Sequence, residues 1–365
     1  MDFKAMMPPH LRNVKPYVPG KPIEEVRREK NFAGEIHKLA SNENPYPPAR
    51  EIQQAIIDEV KQLNRYPNSG SYYVCRDLAE KYNVKPDQIF VGNGSNEIID
   101  LLVRAFINPG EEIIYPIPSF IIYPIEAQLA GVKAVEVPLR NYRLDLEAMR
   151  SNITRKTKIV FICNPNNPTG TYVTAREVER FFADLRSDAL IVFDEAYFEY
   201  VDADDYPNTL EMLRYRPNII ILRTFSKLFS LSGCRIGYSI SHPDLVTCLH
   251  KVRQPFNVNR IAQAAARAAL KHSDSLGERL DENREQISHL RDGLLNMGFV
   301  VPPSQTNFLL VVPTKPVGDI VEKLMDRGII VRPMKPFGLG EESFRVTVGT
   351  PEENKKFLKD IGDLL

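Results

Sequence analysis

From residue 89 onward, short apolar runs alternate with stretches whose apolar residues recur at helical spacing. The runs are Ile89–Val91, Glu112–Tyr115, Ala134–Val137, Ile159–Ile162, Leu190–Phe193 and Ile219–Leu222, with Ile236–Ile240 as a further strand. Several are apolar at successive positions, as strands buried on both faces should be. Between them, Asn96–Phe106 and Ala175–Leu185 carry the apolar spacing of amphipathic helices. This order predicts an α/β fold with a mainly parallel central sheet flanked by helices.

After Phe256 the texture changes. Arg260–Leu270 is an Ala-rich helical run and Leu276–Met297 a charged amphipathic one. Asn307–Val312, Ile329–Val331 and Phe344–Val348 then read as strands around a helix at Pro316–Arg327, which predicts a second, smaller α+β unit. The expected division is an N-terminal arm (1–35), a large unit (36–265) and a small unit (266–365), with the join near residues 255–280. The Pro-rich arm has either unit, or a neighbouring subunit, to pack on. The chain shows no internal repeat or low-complexity tract.

Composition narrows the function classes. The 365 residues are 43% apolar and 26% charged, with 47 basic and 47 acidic side chains cancelling to zero. Such a chain suits a soluble globular protein, and with no long basic run its main partner is expected to be neither nucleic acid nor an anionic membrane. The longest apolar runs are strand-sized, far short of the ~18 residues a membrane span needs. The start, MDFKAMMPPHLRNVKPY, lacks the continuous apolar core of a secretory signal. Cys75, Cys163, Cys234 and Cys248 form no CxxC pair, and the six histidines show no HExxH spacing. We therefore expect no metal site, no disulfide framework and a cytoplasmic location.

In an open parallel sheet, ligands bind beyond the carboxyl ends of the strands, so the residues just past each apolar run matter most. Ile89–Val91 leads into GNGSNE, a glycine turn opening a helix whose first N–H groups, at Ser95 and Asn96, suit a phosphate. The turn resembles a dinucleotide fingerprint, but Glu97 takes the place of its third glycine, which argues against a nucleotide-dependent oxidoreductase. Ile159–Ile162 leads into CNPNNPTG, Leu190–Phe193 into DEAYFEY, and Ile219–Leu222 into RTFSK. Each has a bland alternative: a capped turn, a proline turn, a helix cap, a snorkelling lysine. Four such groups at one sheet edge are harder to dismiss, because a buried Asp is expensive unless it meets a partner. A lysine in a dry pocket has a depressed pKa and can form an imine with an aldehyde. Pyridoxal 5′-phosphate (PLP) supplies that aldehyde together with a phosphate, a pyridine nitrogen and a phenolic oxygen.

The combination NPNNPTG, DEAYFEY and TFSKLFSLSGCRIGY resembles that of the fold-type-I, class-II-like aminotransferases. LASNENPYPP (Leu39–Pro48), KPYVPGKPIEEV (Lys15–Val26) and RYP (Arg65–Pro67) make it similar to the histidinol-phosphate aminotransferase subfamily. The likeness runs from Tyr17 to Arg345. It implies a PLP-transferase fold, and transamination between histidinol phosphate and 2-oxoglutarate, giving imidazole-acetol phosphate and glutamate in histidine biosynthesis. Lys227 would hold PLP as a Schiff base, then serve as general base and acid. Asp194 would keep the pyridine nitrogen protonated, and Asn167 and Tyr197 would bond the phenolic oxygen. Phe120 would stack on the ring, with core packing as the competing reading. Arg235, Ser226, Ser95 and Asn96, with Thr224, would hold the phosphate. Tyr66 would reach the cofactor phosphate of a neighbouring subunit, making the active enzyme a homodimer.

Toward the C-terminus, Arg345 in SFRVTVG matches the family's anion-binding arginine and Arg332 in GIIVRP a second. One bidentate arginine satisfies a carboxylate, whereas two suit a phosphate dianion. Surface salt bridges are the plain alternative for both. Tyr17 would close over substrate, Asn42 and Asn167 would contact it, and discrimination among substrates would rest on Arg332 and the Tyr17 and Asn42–Asn44 loops. Pro47, Asn68, Asn96 and Ser119-Phe120 depart from the commonest subfamily pattern, and they weaken the substrate assignment rather than the reaction type. An aromatic or other amino-acid aminotransferase, or a decarboxylase of an amino-acid phosphate, would share Lys227, Asp194 and Arg235. An inactive PLP-fold binding module is the alternative of another class.

Overall fold

The computed structural model describes residues 1–365 apart from 15, 18, 184, 186 and 187, and the backbone but not the side chains of 274 and 275. Its early strands are β1 (His37–Lys38), β2 (Ile89–Gly92), β3 (Glu112–Ile117), β4 (Lys133–Pro138), β5 (Thr157–Cys163), β6 (Leu190–Asp194), β7 (Ile219–Thr224) and β8 (Gly237–Ser241). The later ones are β9 (Phe299–Val300), β10 (Phe308–Pro313), β11 (Ile329–Ile330), β12 (Arg332–Pro333) and β13 (Phe344–Thr347).

Among the described residues the main sheet has seven strands in the order β2-β8-β7-β6-β5-β3-β4. Pairing is parallel from β4 through β3, β5 and β6 to β7. β8 is antiparallel to both its neighbours, β2 and β7. The predicted architecture is therefore present, with one reversed strand that an apolar run cannot announce, because its pattern carries no direction. That reversal positions the site. Gly237, at the start of β8, pairs with Gly92 at the end of β2 and with Thr224 at the end of β7. The loop entering β8 thus lies at the same sheet edge as the ends of β2 and β7.

Both faces of the sheet are covered. Val160, Ile162, Ile219 and Ile221 face one core, and Ile159, Phe161, Ile220 and Leu222 the other, all with zero exposure. Alternation along each strand sends neighbours to opposite faces, which is why these runs had to be continuously apolar. Full burial of one such side chain contributes roughly 1.5–3 kcal/mol. The helix Ser95–Phe106 buries Ile98, Ile99, Leu101 and Leu102 on the second face. The helix Ala175–Ala183 buries Val178, Phe181 and Phe182 on the first. Its expected continuation toward Leu185 crosses residue 184, outside the described residues.

The smaller sheet runs β12-β13-β10-β9, all antiparallel. The run expected at Ile329–Val331 forms β11 only at Ile329–Ile330, paired in parallel with β1; a separate strand beyond it, β12, pairs with β13. The helix expected at Pro316–Arg327 spans Ile320–Asp326, because Gly318 holds a left-handed φ of +67° that no helix accommodates. Leu290, Leu294, Leu309, Val311, Phe344 and Phe357 form its core, joined by Leu39. Arm residue Val26 packs with Ile36, Ala40, Met325 and Ile330, which ties that part of the arm to this unit. No helix among the described residues is long and apolar enough to cross a membrane.

Candidate active site

A cavity of ≈ 400 Å³ opens at the carboxyl edge of the main sheet, walled on its other side by the β12–β13 pair and the loop at Ser41–Glu43. Each of its corners is set by a strand end.

One corner is a phosphate-sized cradle. The helix Ser95–Phe106 starts at Gly94 without a side-chain cap, leaving its first backbone N–H groups directed at the cavity edge. Gly94 has a φ of +80°, and a Cβ there would lie 2.6 Å from Arg235 Nη2. A Cβ on Gly237 would lie 2.6 Å from the Ser95 amide nitrogen. Both positions therefore demand glycine for the turn and the arginine to share the space. Thr224 Oγ1 donates to Ser226 Oγ at 3.0 Å and accepts from the Ser226 N–H at 3.1 Å, which turns both hydroxyls to the same rim. Arg235 takes a left-handed φ of 57° and donates Nη1 to the Ser232 carbonyl at 3.0 Å. The cradle thus offers backbone N–H groups, two hydroxyls and a guanidinium, the donor set of an anion site.

The second corner has the reactive groups. In register across the sheet, Cys163 pairs with Asp194 and Asp194 with Leu222, so Asp194 ends the central strand. Asp194 is 2% exposed; Tyr123 donates to its Oδ2 at 2.8 Å, while its Oδ1 is buried without a partner. Burial raises its pKa to about 6, against the pull of the Tyr123 hydrogen bond. Lys227 donates Nζ to the Asn42 carbonyl at 3.1 Å. Burial, reinforced by the nearby positive charge of Arg345, lowers its pKa to about 7. Such an amine is substantially neutral at neutral pH and hence nucleophilic. The Tyr197 phenol accepts from Asn42 Nδ2 at 2.8 Å, and burial raises its pKa. The three asparagines of CNPNNPTG divide their work. Asn164 Oδ1 holds the Val173 N–H at 2.9 Å and Asn166 Nδ2 holds Thr169 Oγ1 at 2.9 Å, while Asn167 alone of them lines the cavity.

The third corner carries two arginines. Arg332 on β12 and Arg345 on β13 are directly opposed in the antiparallel ladder. Like charges directly opposed across strands are destabilising. Arg345 is 6% exposed, donates to Asn167 Oδ1 and to the Ala40 carbonyl, and keeps its Nε buried without a partner. Burial lowers its pKa to about 10, with Arg332 acting in the same direction.

Of the site residues expected from sequence, Tyr17, Asn42, Ser95, Asn96, Phe120, Asn167, Asp194, Tyr197, Thr224, Ser226, Lys227, Arg235, Arg332 and Arg345 all line this one cavity. Tyr66 does not: it is 79% exposed and stacks on Phe256 with centroids 4.6 Å apart. Asn44 turns its amide to the Leu228 carbonyl at 2.9 Å and so anchors the loop.

A profile of the family described as "Aminotransferase class I and II" matches residues 35–361. The chain belongs to that family. It is 42% identical over 353 residues to "Histidinol-phosphate aminotransferase 2" of Carboxydothermus hydrogenoformans, covering 96% of this chain and 97% of that protein. It is 41% identical to the protein of the same description from Pseudomonas aeruginosa, covering 100% and 99%. Among solved structures, histidinol-phosphate aminotransferase from Sinorhizobium meliloti in complex with pyridoxal-5′-phosphate superposes with a TM-score of 0.89 at 27% identity, covering 98% of both chains.

Several groups of this aminotransferase's cavity escaped the sequence reading. Glu43, inside the NEN motif, lines the wall and pairs with Lys38 at 2.9 Å. Phe337 lines it too, its ring centroid 5.6 Å from the Arg332 guanidinium carbon. The requirement for glycine at Gly237, two residues after Arg235, was the most legible of the missed signals. Tyr123, behind Asp194, reads in sequence as one more core aromatic.

Proposed function

We propose that this aminotransferase transfers the amino group of histidinol phosphate to 2-oxoglutarate, giving imidazole-acetol phosphate and glutamate, with pyridoxal phosphate held at Lys227. The observation that carries the substrate class is the opposition of Arg332 and Arg345 across β12–β13. A cation pair built into a ladder is suited to a doubly charged phosphate, and Arg345 alone suffices for the α-carboxylate of glutamate. The 41–42% identity to proteins described as histidinol-phosphate aminotransferases supports the same reading.

The residues fit the cofactor. The buried, unpartnered Asp194 Oδ1 is the acceptor that a pyridinium N–H needs, and the glycines at 94 and 237 let the Arg235 guanidinium and the Ser95 amide come together at the edge where a phosphate would sit. Bound there, pyridoxal phosphate would supply an aldehyde to take the amine and a ring to accept electrons. Lys227, with its pKa lowered to about 7, would serve as the base that removes the substrate Cα proton and as the acid that delivers a proton to the cofactor's C4′ carbon. Asp194 would hold the proton on the ring nitrogen. Tyr197 and Asn167 would present donors to the phenolic oxygen. Phe120 would cover one face of the ring. Arg235, Ser226, Thr224, Ser95 and Asn96 anchor the phosphate, while Tyr17 and Asn42 close over the substrate.

We also propose a cytoplasmic homodimer. Tyr66 is exposed, as are Ile57, Val60, Leu63 and Tyr72 close to it in the sequence, apolar side chains that a second copy would cover. From there Tyr66 would reach the phosphate of the partner's cofactor. The test is a substrate panel with 2-oxoglutarate as common acceptor. Histidinol phosphate should be preferred over phenylalanine and threonine phosphate, and Arg332→Gln should raise the KM for histidinol phosphate about tenfold or more while sparing glutamate. A preference for phenylalanine, or decarboxylation of threonine phosphate, would overturn the substrate assignment and leave the cofactor chemistry standing.

A further inference from the structure

We infer that Tyr123 is a positioning residue for the cofactor ring: it fixes Asp194 through Oδ2, leaving Oδ1 for the ring nitrogen, and braces Phe120 at the ring face. The inference rests on the reading of the Lys227–Asp194 cavity as the pyridoxal phosphate site. Tyr123 has zero exposure and its O–H donates to Asp194 Oδ2 at 2.8 Å. Its ring lies parallel to that of Phe161, with centroids 4.5 Å apart and planes 13° apart, so the phenol has no freedom to swing. It meets Phe120 edge-on, with centroids 5.8 Å apart and planes at 85°. One side chain, three positions along from Phe120, therefore touches both the acid expected at the ring's edge and the aromatic expected on its face. For packing alone, Phe would fill the space. A hydroxyl buried in an apolar core is costly unless it is paired, and here its partner is a carboxylate, the stronger kind of acceptor.

The other titratable groups near Asp194 do not take this role. The Cys163 thiol is pushed up to about 12 by burial and donates to the Pro165 carbonyl at 3.6 Å. Glu195 is engaged by Arg223 at 2.8 Å. Tyr206 donates to the Asn164 carbonyl, Tyr197 accepts from Asn42, and Lys227 donates to the Asn42 carbonyl. Besides Tyr123, the backbone N–H of Ala196 favours the ionised form of Asp194. Burial acts against ionisation, so loss of the phenol O–H would raise the pKa of Asp194 further and draw the proton from the ring nitrogen onto the carboxylate.

The test is binding of pyridoxal phosphate to the cofactor-free chain across the neutral pH range. Tyr123→Phe should weaken binding about tenfold or more near neutrality. The deficit should shrink as pH rises and Asp194 ionises unaided. Thermal unfolding of the cofactor-free chain should change little, and Tyr123→Phe added to Asp194→Asn should cause no further loss of affinity. Unchanged affinity with an unchanged pH profile would overturn the inference. So would a loss that is independent of pH and accompanied by a lower unfolding temperature, which is the signature of packing alone. A wild-type chain that fails to bind pyridoxal phosphate would overturn the site reading itself, and this inference with it.

Discussion

Two clusters of buried charge lie where β6 and β7 end, their acids, Asp194 and Glu195, adjacent in sequence. Glu195 and Arg223, 0% and 1% exposed, meet at 2.8 Å, and Thr209 donates to the second carboxylate oxygen at 2.6 Å. The Arg223 guanidinium carbon lies 3.4 Å from the ring centroid of Phe198 and 4.9 Å from that of Tyr82. Asp194 and Lys227 are held quite differently. The acid keeps one oxygen unpartnered, and the amine rests on a backbone carbonyl. The first pair sets its charges against each other, with Arg223 Nη1 left without a hydrogen-bond partner, and neither residue lines the cavity. The second leaves an acceptor and a nucleophile open toward a cavity, with pKa values brought to about 6 and about 7 by burial. Burial raises the pKa of both acids, but the cations part ways: Glu195 keeps Arg223 firmly protonated, whereas burial lowers Lys227.

The two pairs should differ most visibly in function. Lys227→Ala should reduce transamination more than a thousandfold, roughly, because it removes both the covalent anchor and the base. Its circular dichroism and cofactor-free unfolding should remain near wild type. Turnover of glutamate at the wild-type rate by that variant would refute the mechanism. On the structural side, Arg223→Ala should lower stability by about 3–5 kcal/mol, because Glu195 is left charged and buried. Urea unfolding measures this, and the paired replacement Glu195→Leu with Arg223→Met should recover much of the loss. Recovery that fails would mean that the pair carries more than structure.

A smaller effect sharpens the contrast through pH. In the cofactor-free chain Lys227 has its folded pKa lowered from 10.5 to about 7, so below pH 7 its charge is buried at full cost. Stability should rise with pH from about 7 toward 10, by of order 1–3 kcal/mol, and Lys227→Met should flatten the rise. Asp194 has its folded pKa raised from 3.8 to about 6, so between those values the folded state holds the extra proton and stability falls as pH rises. Asp194→Asn should remove that fall. Denaturant midpoints across pH check both slopes.

Much of this was legible in the chain because β-structure buried on both faces must be continuously apolar. Any polar residue just past such a run therefore stands out, and Asp194 after Phe193 and Lys227 after Thr224 are visible for that reason. What stayed hidden depends on pairing between distant segments. The reversal of β8, the pairing of His37–Lys38 with Ile329–Ile330, and the opposition of Arg332 to Arg345 leave no mark on local periodicity. Tyr123 was invisible because a buried aromatic with a purpose has the same neighbours in sequence as one without. Past the change of texture, Ala269 and Leu276 still belong to the core of the large sheet, and Leu290 to that of the small one.

The central claim is that the open amine, and not any paired cation, carries the cofactor. It is tested most directly by reducing the pyridoxal phosphate-loaded protein with borohydride and mapping the modified peptide by mass spectrometry. A phosphopyridoxyl adduct on Lys227 is expected, with loss of the yellow colour, and no adduct in Lys227→Ala. An adduct on another lysine, or none at all, would contradict it.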